Sequence, residues 1–184
     1  MDTNVLQYLQ DFGEFIFDHY RENEKYLLGP RGKEITKDNR LYREVLALEK
    51  IFLGIDRTNI EFSLSEAVFK EVIDKKDSAF YRWFCDVWDH WQGVLAEYRE
   101  SPFSKEAQER HEKACPDKSL LGNLSKRDRE IVLDSIRFDC DALLTVDRFA
   151  DKNKQSFVYI KYQLTVLRPT DLFAILKPFQ ALWL

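Results

Sequence analysis

Val5, Leu9, Phe12 and Ile16 recur at helical spacing, which predicts a helix starting just after Asn4. Gly29-Pro30-Arg31-Gly32 breaks the pattern and predicts a loop. Leu41, Val45, Leu48 and Phe52 mark a second helix that ends near Gly54. From Ile60 to Leu64 apolar and polar residues alternate, the period of a short strand, and a helix follows from about Ser65 to Asp74. The longest apolar stripe is Phe80, Phe84, Val87, Trp91, Val94 and Tyr98, again at helical spacing. Trp83 and Trp88 lie off its centre and are expected to face a neighbour or solvent.

Ser101-Pro102 interrupts that helix, and Lys105 to Ala114 reads as a short charged helix ended by Cys115-Pro116-Asp117. Ser125 suits an N-cap, with Asp128 in the first turn of a helix that runs to about Phe138. Ala142 to Thr145 has the apolar run of a buried strand, and Leu164 to Leu167 is a second strand ended by Pro169. Phe157 to Tyr162 is ambiguous, and Thr170 is expected to cap a last helix. Helices alternating with short apolar strands predict an α/β fold, a parallel sheet covered by helices on both faces.

Composition narrows the class. A chain of 184 residues suits one domain, 1–184, and no Gly/Ser/Pro-rich stretch divides it. With 45% hydrophobic and 33% charged residues it falls outside the disordered range. A net charge of −4 argues against a generic basic coat for nucleic acid. It leaves room for a carboxylate site that acts on nucleic acid, since such a site itself lowers the charge. Three widely spaced cysteines give no disulfide framework and predict a reducing cytoplasm. No apolar run approaches the roughly 20 residues of a membrane span. Met1-Asp2-Thr3-Asn4 lacks the basic and apolar regions of a secretory signal.

Four local patterns carry candidate chemistry. Asp2-Thr3-Asn4-Val5 puts an acid before a helix. Ser65 to Val72 carries Glu71 a turn and a half into another. Lys126-Arg127-Asp128 puts an acid at a helix start, and Asp141 to Asp147 leaves Thr145 and Asp147 where a strand runs out. In open α/β sheets, sites collect at the carboxyl ends of strands, so these acids can converge. Converging carboxylates repel one another unless protonated or neutralised by a cation. Hard oxygen ligands suit Mg²⁺ or Mn²⁺, ions that serve phosphodiester hydrolysis.

In order and interval these motifs resemble the PIN-domain nucleases (PilT N-terminus-like), over nearly the whole chain. Asp-Thr-Asn-Val at 2–5 resembles the family's opening acid motif. Ser65 to Val72 resembles the helix of its second acid, and Lys126 to Asp147 its closing half. Leu164 to Pro169 resembles its last strand. The resemblance implies a Rossmann-like parallel sheet flanked by helices, with a helical insertion at about 76–120. It implies a Mg²⁺- or Mn²⁺-dependent endoribonuclease whose catalytic and metal residues are Asp2, Glu71, Asp128 and Asp147. Asn4 and Thr145 would orient these carboxylates, and Lys126, Arg127 and Arg148 would contact the RNA backbone. An antitoxin or other protein partner, or a homodimer, fits the same family. The alternative is a catalytically weak or inactive binding or scaffold protein on the same fold.

Only Met1 precedes Asp2, so the apolar strand that leads into the family's first acid is expected to be missing and Asp2 to lie on a frayed end. Several residues have plainer readings. Ser63-Leu64-Ser65-Glu66 fits a capping box, which makes Glu66 structural. Asp139 and Asp141 read as solvated turn residues, and Asp151 as exposed. Cys85, His90, His111 and Cys115 have spacings that suggest zinc, but Cys85 beside Phe84 is expected to pack as a small apolar residue. Trp83, Trp88 and Trp91 read as packing residues before they read as stacking platforms for bases.

Overall fold

The computed structural model describes residues 1–18, 26–29, 33–55, 58, 60–87, 104–117, 124–147 and 161–182. The first helical stripe folds as two helices, α1 (Thr3–Asp11) and α2 (Gly13–Phe17). The break lies at Phe12, with φ −126° and ψ 22°, just before Gly13, a residue of low helix propensity. The apolar face survives the break, because Val5, Leu9, Phe12 and Ile16 are all buried.

β1 (Tyr26–Leu28) and β2 (Glu34–Thr36) pair antiparallel; of the predicted Gly29–Gly32 loop, Gly29 donates its amide to the Lys33 carbonyl at 2.8 Å and residues 30–32 lie outside the described residues. Helix α3 (Arg40–Leu53) starts where the Asn39 side chain accepts from the Leu41 amide at 2.9 Å, and it ends at Gly54. It packs against α2 and against the last helix. Residues 60–64 belong to no sheet, contrary to the predicted strand. A strand needs a ladder of partners, and here the Ser63 carbonyl takes a single bond, from the Met1 nitrogen at 2.7 Å.

Helix α4 (Glu66–Ile73) is capped by Ser65, which accepts from Val68, so the capping residue is not Ser63 as the capping box implied. Glu66 is exposed and pairs with Lys70 at 3.0 Å, in keeping with its structural reading. A helix over 79–87 (α5) buries Phe80 and Phe84, and Trp83 stacks on Phe80. Trp88, His90, Trp91, Val94 and Tyr98 lie outside the described residues. Helix α6 (Lys105–Ala114), capped by Ser104, packs on α7 (Lys126–Arg137), which also packs on α4.

β3 (Ala142–Leu144) and β4 (Thr165–Leu167) pair in parallel, Leu143 opposite Val166. Thr145 prolongs the ladder, its amide donating to the Leu167 carbonyl at 2.9 Å. Helix α8 (Pro169–Leu176) follows, then a 3₁₀ turn over Lys177–Leu182. Thr170 is not its cap: the helix is preceded by Arg168, whose amide donates to Asp171. The fold is therefore α/β and dominated by helices. Among the described residues the broad parallel sheet expected from the sequence is one parallel pair and a separate hairpin. No described helix is long and apolar enough to cross a membrane.

Candidate active site

Asp2 is extended (φ −82°, ψ 155°) and enters α1 through its carbonyl, which accepts from Val5 and Leu6. Its side chain makes no capping bond to the helix. The carboxylate turns instead to Thr145, whose hydroxyl donates to Asp2 Oδ2 at 2.6 Å, and the Asp2 amide donates to the Leu144 carbonyl at 3.0 Å. Asp2 is 5% exposed, so it is not the frayed residue expected from its place in the chain.

The same threonine oxygen accepts from the Asp147 amide at 3.2 Å. One hydroxyl, fixed at the end of the parallel pair, thus links both carboxylate residues. Asn4, the second residue of α1, donates its amide to both oxygens of Asp147, at 2.9 and 3.0 Å. Asp128 sits in the first turn of α7, where Ser125 accepts from its amide at 3.1 Å. Asp2, Asp128, Thr145 and Asp147 line a single small cleft. Its apolar floor includes Ile131, Val132 and Leu143. Replacing the N-cap, Ser125→Ala, is expected to cost about 1 kcal/mol in urea denaturation. An unchanged midpoint would remove the cap from this account of how Asp128 is placed.

Glu71 is held differently. It accepts from the Thr3 hydroxyl and lies 3.6 Å from the Arg127 guanidinium, which also pairs with Asp74. Arg127 is thus half-exposed and placed between two acids. Lys126 is exposed and lies 3.9 Å from Glu130, and Arg148 and Asp151 lie outside the described residues.

The electrostatics tie the four acids together. Burial pushes the Asp2 carboxyl up to about 6, with the charges of Asp147 and Glu71 adding and the Thr145 hydrogen bond opposing. Burial also raises Asp147; Asp128 and Glu71 add to the rise, while Asn4 and Arg40 oppose it. Such mutual repulsion is what a cation relieves, and the donors are hard oxygens of the kind Mg²⁺ and Mn²⁺ prefer. As they stand, no three His, Cys, Asp or Glu side chains among the described residues are grouped closely enough to hold a metal ion.

Of the residues at zinc-like spacing, His90 lies outside the described residues. His111 and Cys115 touch at 3.5 Å on α6, and Cys85 is exposed, not packed as expected. Asp139 occupies a turn with φ 55° and pairs with Arg110, while Asp141 is exposed, as turn residues are.

Sequence reasoning missed Arg40, Glu44 and Arg168. Arg40 donates to the Val146 carbonyl at 2.8 Å, and Arg168 donates to the carbonyls of Val146 and Asp147 at 3.0 and 3.1 Å. One signal existed for Arg40: a cation at the first position of α3 opposes the helix dipole, so it needs another partner. Compared with protein-family models, curated proteins and solved structures, the chain has no significant match to any of them.

Proposed function

We propose that this chain is a PIN-like, metal-dependent endoribonuclease that hydrolyses phosphodiester bonds at the cleft of Asp2, Asp128 and Asp147. The observation that carries the reading is the convergence of these three acids, 126 to 145 positions apart from first to the others in sequence, on one cleft beside Thr145. The order of motifs from Asp2 to Asp147 supports the same reading, and RNA as substrate rests on that resemblance.

Asp2, Asp128 and Asp147, with Glu71 from α4, would hold Mg²⁺ or Mn²⁺. When bound, such a cation supplies positive charge to phosphate oxygens and lowers the pKa of water. The chain's own residues do the rest. Thr145 and Asn4 fix the two carboxylates they touch. The apolar floor limits water beneath them. Lys126, an exposed cation two positions before Asp128, would meet a substrate phosphate, as would Arg148, which follows Asp147 directly in sequence. A reducing cytoplasm suits the three free cysteines.

A second reading, a binding or scaffold protein that acts through an antitoxin, another partner or a second copy, is favoured by one finding. The acids are not grouped as a ready cation site, and Glu71 is already engaged by Thr3 and Arg127. Single-stranded RNA incubated with the chain in Mg²⁺ or Mn²⁺ is expected to yield internal cuts, and none in excess EDTA. Intact RNA in all three, together with no calorimetric Mn²⁺ binding, would overturn the nuclease reading and leave the scaffold.

A further inference from the structure

Glu44 is a carboxylate buried in α3 at 3% exposure, away from the four acids of the cleft. It accepts from the Thr170 amide at 3.1 Å and from the Thr170 hydroxyl at 3.3 Å, and so fastens the first turn of α8 to α3. Its Oε1 also lies 3.8 Å from Arg40 Nε, one turn earlier on the same helix. Arg40 in turn donates to the Val146 carbonyl. Arg168, immediately before α8, donates to that same carbonyl and to the carbonyl of Asp147. The contacts, closed by the chain itself from Arg168 through Pro169 to Thr170, form a ring: Glu44, Arg40, the Val146–Asp147 backbone, Arg168, Thr170 and back to Glu44.

We propose that Glu44 is a positioning residue for Asp147: it holds Arg40 by charge and, through Thr170, the helix start beside Arg168, so that both arginines grip the Val146–Asp147 backbone and aim the Asp147 carboxylate into the cleft. The proposal rests on the metal-dependent reading of that cleft. Segments that leave a strand end are the least restrained part of an α/β site. Here the two carbonyls just past β3 are taken by guanidinium groups whose fork geometry suits such paired contacts. Thr145 anchors the amide side of Asp147 and Asn4 its carboxylate, so the ring supplies the restraint on the carbonyl side. Outer contacts of this kind change metal affinity by roughly 10–100-fold when removed.

Two variants test it. Glu44→Gln keeps the shape of the buried side chain and removes its charge. Arg40→Ala removes a half-exposed guanidinium and with it both the pairing to Glu44 and the bond to the Val146 carbonyl. Each is compared with the unaltered chain for Mn²⁺ affinity by calorimetry, for kcat and KM on single-stranded RNA, and for hydrogen exchange of the Asp147 amide without metal. The expected result is about tenfold weaker Mn²⁺ binding and lower kcat at unchanged KM. The Asp147 amide should exchange faster while that of Leu48 in α3 stays slow. Restored kcat in Arg40→Lys would strengthen the case. Unchanged affinity, kcat and exchange would overturn the proposal, as would a rise in KM alone, which would make Arg40 a direct substrate contact. Should the unaltered chain neither bind Mn²⁺ nor cut RNA, the nuclease reading fails, and exchange alone decides. Faster exchange at Asp147 then sustains the positioning role, and equal rates end it.

Discussion

Asp2→Asn is expected to resist urea better than the unaltered chain at pH 8, and to match it at pH 4. Asp2 is buried, and its carboxyl is raised from 3.8 to about 6 in the fold. Between those values the folded chain binds more protons than the unfolded one. Stability contributed by this group is therefore complete below pH 4 and lost as pH rises through 6. The difference of about 2 units corresponds to on the order of 3 kcal/mol. An asparagine carries no charge to bury, and its oxygen still accepts from the Thr145 hydroxyl. The gap between the two urea midpoints should thus open between pH 4 and 6 and stay open above. A gap independent of pH, or a less stable variant at pH 8, would sink the account. The same substitution should abolish Mn²⁺ binding, because the charge that destabilises the fold is the charge that attracts the ion. Stability and function are set against each other at this one side chain.

Cleavage of RNA by Asp147→Asn is expected to fall on the order of a thousandfold, equivalent to about 4 kcal/mol of barrier. Asp147 is half-buried, and both its oxygens face the cleft-side amide of Asn4. An amide in its place keeps an oxygen for that contact but is a poor ligand for a hard divalent ion. Folding should change by less than about 1 kcal/mol, because the Asp147 backbone contacts with Thr145 and Arg168 do not involve the side chain. Single-turnover cleavage and urea denaturation on the same preparation separate the two effects. Cleavage at the unaltered rate would remove Asp147 from the chemistry.

The elements that period alone could place are those with a continuous buried stripe. Val45 and Leu48 in α3, Val68 and Val72 in α4, and Val132 and Ile136 in α7 are fully or almost fully buried, and their spacing states as much. The acids were legible for a different reason: Asp2, Asp128 and Asp147 stand at element boundaries, where turn and cap signals are strong. The hairpin was not legible, because strands of three residues each bury one central side chain, Leu27 and Ile35, too few to show a period. Residues 60–64 had the right alternation, yet among the described residues they join no sheet. Alternation records which side chains are buried, not whether a neighbouring backbone is present. The ring of Glu44, Arg40, Arg168 and Thr170 joins positions over a hundred residues apart through backbone carbonyls, which no side-chain pattern encodes.

The bond between Thr145 and Asp2 spans 143 positions, and that between Thr170 and Glu44 spans 126. Ribosomes deliver the N-terminal end of a chain first, so α1 emerges long before the strands that complete its cleft. A nascent chain halted between α4 and β3 has Asp2 and Glu71 but neither Thr145 nor Asp147. The cleft is thus assembled only after β3 and β4 have both emerged, when Asp2 has already been free of its Thr145 partner for the synthesis of more than a hundred residues.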